Sequence, residues 1–324
     1  QYASTLFLAE IPTDPRTTSP WSLTPIFTYS GNECEGLAAF DVDNDGKLDI
    51  IGGGRWFKHV SGTTFAVEVI DEVQRFTRAA AGQLKRGGRP EIVFVPGDAD
   101  GRMVLYEWNG SSWIGTDLIG ADVIHGHSLH IADIDNDGHL DIFNAEMRLN
   151  GSNPNAKMRL FFGNGIGMLT LQELATGYGN HESRLGDFDG DGDLDILAKP
   201  YNWDAPRIDL WLQNGTGSTV PPYTLTLWTR HVIDENKPWT SLFIAAADID
   251  NDGKKDIVTG GWWYRNPGIA VGNWTRLTIG APLNNMAAVY DFHNDGAVDV
   301  LGTQGQGAQA NPNFVWGRNN GSGA

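Results

Sequence analysis

Hydrophobic and polar positions along this chain change over in short bursts. Apolar runs such as Leu37-Ala-Ala-Phe40 and Ile50-Ile51 are cut off within a few residues by Gly, Asn and Asp, and no stretch sustains a helical period for three turns. Short strands joined by tight turns are therefore predicted throughout, and the chain reads as all-β. The bursts follow a fixed order: an apolar strand, an acidic loop, an Asp-Ile strand, an aromatic strand, then an outer strand. Phe65-Ala-Val-Glu-Val-Ile70, Trp228-Thr-Arg-His-Val-Ile233 and Trp274-Thr-Arg-Leu-Thr-Ile279 are three versions of that outer strand.

The acidic loop is the repeat. Four complete copies place Asp at positions one, three, five and nine: Asp41, Asp43, Asp45 and Asp49; Asp133, Asp135, Asp137 and Asp141; Asp187, Asp189, Asp191 and Asp195; Asp248, Asp250, Asp252 and Asp256. Gly46, Gly138, Gly192 and Gly253 occupy position six. A fifth copy, Asp291 to Asp299, carries His293 at position three, and Gln83 to Glu91 keeps only the frame. A hard cation takes six to eight oxygens, which alternate side chains of a curled loop supply, so the complete copies are expected to hold about four structural Ca²⁺ ions. The last ligand falls eight residues after the first and strands flank the loop, which excludes an EF-hand.

Loop starts at 41, 83, 133, 187, 248 and 291 are spaced as four-stranded propeller blades are. The expected fold is one β-propeller domain over 1–324 with six blades, seven being the alternative. Residues 1–30 are expected to complete the last blade and close the ring, with the repeats running from about 34 to the end.

Charge and composition narrow the partners. The net charge of −17 argues against nucleic acid, which requires a basic stripe. Much of the excess lies in loops that a cation would neutralise. No apolar run approaches the roughly 20 residues of a membrane span. Cys34 is the single cysteine, so no internal disulfide forms. Sequons at Asn109, Asn150, Asn214, Asn273 and Asn320, with a chain beginning at Gln1, lead to the expectation of a secreted, processed, monomeric glycoprotein.

The loops resemble the FG-GAP/VCBS repeats of calcium-binding propellers, a family that includes integrin α-subunit heads, a fungal lectin and certain rhamnogalacturonan lyases. Gly261-Trp-Trp-Tyr-Arg-Asn-Pro-Gly268, Asn273-Trp-Thr-Arg-Leu-Thr-Ile-Gly280 and Trp228-Thr-Arg-His-Val-Ile-Asp234 are similar to the propeller module of fungal aldos-2-ulose dehydratases. The cupin domains that follow that module are not in this sequence. The resemblance implies fold and calcium more strongly than a reaction, because one fold hosts many activities.

In a propeller, residues before each first strand and after each second strand are expected to gather at one channel mouth. The first set includes Glu35, Arg78, His125, His127, His181, Arg184, Trp239 and Asn285; the second includes Arg55, Trp56, Glu146, Lys199, Tyr201, Trp203 and Trp263. Aromatic rings stack on sugar faces and Arg reads carboxylates, so a carbohydrate partner is expected. Three functions stay open. In a polysaccharide lyase, His127 or His181 is the base, Tyr201 the acid, and Arg78, Arg184 and Lys199 stabilise charge. Glu35, Arg55, Trp56, Glu146, Trp203, Trp239, Trp263 and Asn285 then bind the sugar. A lectin uses the same groups without chemistry, and an adhesive module needs a partner patch that the sequence does not reveal. A further divalent metal on His125, His127, His181 and Glu146 is set against ordinary polar rim histidines, the His-Gly-His pair being read as extended with both rings on one side.

Overall fold

The computed structural model describes residues 5–14, 21–30, 34–200, 207–214, 228–269, 272–307, 309, 311 and 313–322, and among them there is no helix. Twenty-seven strands form antiparallel sheets, and six of those sheets are blades, which makes the chain an all-β protein of the β-propeller class. The chain divides into two compact units, residues 1–147 with 155–179, and residues 148–154 with 180–324.

The first unit holds three blades. Blade 1 is β3 (Ala38–Phe40), β4 (Asp49–Gly52), β5 (Arg55–Ser61) and β6 (Thr64–Val69). Blade 2 is β7 (Thr77–Gly82), β8 (Glu91–Pro96), β10 (Val104–Trp108) and β11 (Trp113–Asp117), with a short ribbon of β9 (Asp100–Gly101) and β12 (Val123–Ile124) beside it. Blade 3 is β13 (Ser128–Ala132), β14 (Asp141–Ala145), β15 (Lys157–Gly163) and β16 (Leu169–Thr176). First strands lie side by side, β3 against β7 and β7 against β13.

The second unit repeats the plan. Blade 4 is β17 (Glu182–Gly186), β18 (Asp195–Lys199), β19 (Ile208–Gln213) and β20 (Trp228–Asp234). Blade 5 is β21 (Ile244–Ala247), β22 (Asp256–Thr259), β23 (Trp262–Arg265) and β24 (Thr275–Thr278). Blade 6 has three strands among the described residues, β25 (Asn285–Tyr290), β26 (Asp299–Thr303) and β27 (Phe314–Gly317).

Burial explains the sequence pattern. A second strand has a hydrogen-bonded neighbour on each edge and apolar packing on both faces, so it reads as a continuous apolar run rather than an alternation. β8, β14, β18 and β22 are accordingly buried at every residue, whereas β24 is exposed at every residue. The cores lie between consecutive blades: Val93, Val95 and Leu105 meet Leu129, Ile142 and Phe161, and Leu197, Leu210 and Leu212 meet Ile244, Ile257 and Tyr264.

The N-terminal strands do something the sequence did not suggest. β1 (Thr5–Ala9) and β2 (Leu23–Thr28) pair with each other as a separate ribbon. Tyr29, just after it, donates its hydroxyl to the Gly52 carbonyl at 2.9 Å, and Phe27 packs 5.6 Å from the Phe57 ring. The strand expected to finish the last blade thus pairs with β1, and its Phe27 and the following Tyr29 pack on the first blade.

Candidate functional site

Each acidic loop is built by its first and ninth aspartates. Asp41 Oδ1 and Oδ2 accept the backbone N–H groups of Asp45 and Gly46 at 3.0 and 2.8 Å, curling the loop. Asp133, Asp248 and Asp291 do the same for their own loops. Position four adopts a left-handed backbone, which Asn tolerates at Asn44, Asn136 and Asn251 and Gly supplies at Gly190.

The ninth aspartate is fully buried and bridges two strands. Asp49 accepts Val42 N–H at 3.1 Å and His59 N–H at 2.7 Å. Asp141 accepts Ile134 and Gly163, Asp195 accepts Phe188 and Gln213, and Asp256 accepts Ile249 and Asn266, all at 2.8 to 2.9 Å. From sequence, position nine is a metal ligand only; in the structure it is also a pin between the loop and the third strand.

The donor set fits a hard cation. Asp41, Asp43 and Asp49, and likewise Asp133, Asp135 and Asp141, bring carboxylate oxygens within 4.8 Å of one another. Burial, outweighing backbone hydrogen bonds, pushes Asp141 and Asp195 up to about 7 and Asp256 to about 6. Burial and then the neighbouring Asp137 push Asp135 to about 6. Crowded, half-buried carboxylates of this kind are what a divalent ion neutralises. In the fifth copy the His293 ring fills the loop, with Nδ1 2.8 Å from Asp299 and Nε2 2.6 Å from Asp295.

In the first unit, the ends of β3, β7 and β13 bring Glu35, Arg78 and His127 together. His127 immediately precedes β13, and its side chain is 2% exposed. Its Nε2 lies 2.8 Å from Glu35 Oε1 and its Nδ1 2.5 Å from an Arg78 terminal nitrogen. Arg78 can only donate, so Nδ1 accepts and the Nε2 hydrogen goes to Glu35. Burial raises the Glu35 carboxyl, but the hydrogen bond from His127, with the Arg78 charge, outweighs it and holds it below the usual glutamate range. The chain is tight here: a Cβ on Gly97 would collide with Glu35 Cγ, and one on Gly36 would lie 2.8 Å from Arg78 Cδ.

His125 stands beside this group, 3.7 Å from the Asp98 carboxylate and 3.8 Å from Asp100. The His125-Gly126-His127 segment is not extended. His125 has φ 48° and its carbonyl accepts the His127 N–H at 2.8 Å, a turn that Gly126 permits because a Cβ there would lie 2.5 Å from Val95. Asp100 carries no signal of its own in the sequence, because Gly97-Asp-Ala-Asp-Gly101 has the composition of an ordinary turn.

Several expected ligands have structural duties. Glu146 is buried, 2.8 Å from Arg159, and accepts the Ile124 and Lys157 N–H groups. Trp56 and Trp263 belong to the core. Arg55 lies over the Phe27 and Tyr29 rings and reaches Glu72 at 3.4 Å.

In the second unit, His181 precedes β17 as His127 precedes β13, and its N–H donates to the Lys199 carbonyl at 2.8 Å. Arg184 pairs with Glu182. Lys199 is fully buried, with Nζ donating to the Ser241 carbonyl at 2.6 Å; burial, then Lys237, lowers its pKa well below the usual lysine range. Its amine is enclosed rather than presented. Trp239 rests 4.2 Å from Trp262 and donates Nε1–H to the Asn284 carbonyl, and Asn285 is buried with Nδ2 donating to the Gly307 carbonyl. Tyr201 and Trp203 lie outside the described residues.

The molecule is thus a β-propeller with acidic strand-loop-strand repeats. Residues 87–143 match the FG-GAP-like repeat, a span that opens in the residual loop of blade 2 and includes the complete loop of blade 3. No match was found among curated protein sequences. Among solved structures, rhamnogalacturonan lyase PL11 of Bacillus licheniformis is similar at 14% identity and TM-score 0.41, over 83% of this chain and 58% of that one. The exotype rhamnogalacturonan lyase YesX is similar at 16% and 0.44, over 90% and 48%. The V. cholerae biofilm matrix protein Bap1 is similar at 10% and 0.31, over 98% and 69%. The chain spans about half the length of the two lyases.

Proposed function

We propose that this chain is a secreted, carbohydrate-active propeller, with calcium in its complete acidic loops and a lyase centre at Glu35, Arg78 and His127. The observation that carries the reading is the buried imidazole held between a partly buried carboxylate and a partly buried guanidinium, since an ionisable ring is not taken out of water beside two charged groups without a desolvation cost. The substrate class is a uronic-acid polysaccharide. Its carboxylate draws the Arg78 guanidinium into a bidentate pair and away from His127 Nδ1. The freed lone pair takes the proton α to that carboxylate. The C–H electrons become the new C=C bond, the β C–O bond breaks, and the departing oxygen takes a proton from water. Glu35 holds the Nε2 hydrogen and stabilises the imidazolium until the proton is lost to solvent.

Calcium is structural in this reading, because its loops recur between strands away from these groups. Export is supported by the exposure of all five sequon asparagines. A lectin is the second reading, favoured by one observation: both His127 nitrogens already have partners, which suits a fixed binding surface. Incubation with uronic-acid polysaccharides should give the ultraviolet absorbance of unsaturated uronates, and His127→Gln, which can still hydrogen-bond Glu35 and Arg78, should cut turnover by roughly two to four orders of magnitude while remaining folded at the assay temperature. Glycan-array binding without new absorbance would establish the lectin instead.

A further inference from the structure

In every blade one third-strand residue continues the register opposite loop position nine. It is Lys58, Glu107, Phe162, Leu212, Arg265 and Arg318 in blades 1 to 6. In blades 1, 2 and 5 its charge is opposite to that of loop position three. Lys58 pairs with Asp43 and lies 3.5 Å from Asp45, and Arg265 Nε is 2.7 Å from Asp250. Blade 2 inverts the pair, with Lys85 in the loop and Glu107 on the strand, 3.0 Å apart. In blade 6, Arg318 donates to His293 Nε2 at 2.8 Å. Blades 3 and 4 place buried Phe162 and Leu212 at the corresponding register position, and there position three is Asp135 and Asp189.

Position seven divides the same way. Lys47 and Lys254 lie 3.6 and 2.7 Å from Asp45 and Asp252, whereas His139 and Asp193 hold that position in blades 3 and 4. The internal cations do not complete their loops. Asp43 and Asp250, with side chains 9% and 5% exposed, each keep Oδ1 buried without a hydrogen-bond partner among the described residues.

We infer that the four complete loops form two classes: those of blades 1 and 5 carry a built-in counter-cation, Lys58 or Arg265, that a divalent ion must displace, and those of blades 3 and 4 rely on the divalent ion alone. The inference rests on the calcium reading above. It places two tight and two weak sites in one molecule, the weak pair responding to ion concentration.

Calcium titration by calorimetry on the whole chain, with terbium luminescence as the second readout, tests it. The wild type should show two tight sites and two up to about fivefold weaker, the effect of one partly exposed charge pair. Asp135→Asn and Asp189→Asn should each remove a tight site, while Lys58→Met and Arg265→Met should each convert a weak site to a tight one. Lys58→Gln repeats the test with a polar side chain should Lys58→Met fold poorly. Four sites of equal affinity, unmoved by Lys58→Met and Arg265→Met, would overturn the two classes while leaving calcium binding intact. No calcium or terbium binding in any variant would overturn both.

Discussion

Lys237 shows what a single buried cation costs this protein. It is 5% exposed, and its Nζ reaches the Arg207 carbonyl only at the long distance of 3.5 Å. Burial pushes its pKa down to about 8, against the raising pull of Asp234 and Asp209. The unfolded chain, with an ordinary lysine pKa of about 10.4, binds more protons between those values, so stability should rise as pH increases from about 8 to 10. Below pH 8 both states are protonated and the penalty is felt in full. Lys237→Met should remove that rise and stabilise the protein at pH 7 by up to about 3 kcal/mol. Urea unfolding of both proteins at pH 7 and 9.5 checks this, and an equal rise with pH in each would refute the assignment.

At the scale of the element, the ninth-position aspartate makes a loop and a third strand one unit. Asp195→Ala leaves the buried N–H groups of Phe188 and Gln213 without their acceptor, at a cost of about 1 to 3 kcal/mol for each group. Asp195→Asn keeps one carbonyl oxygen and should lose about half as much. Thermal melts in chelator separate this role from metal binding; if the two variants melt alike and close to wild type, the pin is not structural. The blade frame was legible because the Asp-x-Asp-x-Asp-Gly period and the loop spacing are local. The site was legible only in part. Glu35, Arg78 and His127 were assigned to one rim by their offset from the loops, and the first unit brings them together. Trp56 and Trp263 read as sugar platforms in the sequence, yet their third strands are covered on both faces, so that neighbouring residues such as Trp262 and Trp263 enter two different cores. Glu146 sits at a rim position and turns back onto its own blade through Arg159. Which way a rim side chain faces depends on register and on the neighbouring strand, and neither is written in the loop that reveals the blade.

Over the whole molecule, removal of calcium is the broadest test. An ion that binds the folded chain alone adds about 2.7 kcal/mol of stability per site at a hundredfold excess over its dissociation constant. Chelator should therefore lower the melting temperature in scanning calorimetry and calcium should restore it; an unchanged transition would remove the ion from the fold. The pins also have a consequence for how quickly the chain finds its structure. Within each blade the strands are laid down antiparallel in chain order, so strand pairing is mostly local and hairpins can form in microseconds. The bonds from Asp49, Asp141 and Asp195 to their third strands instead close loops of 10, 22 and 18 residues. A blade therefore cannot finish its acidic loop until its third strand has emerged. If the complete loops of blades 1, 3, 4 and 5 hold calcium as proposed, its capture lags the first two strands of those blades, and refolding should show a fast, calcium-independent gain of β signal followed by a slower, calcium-dependent one.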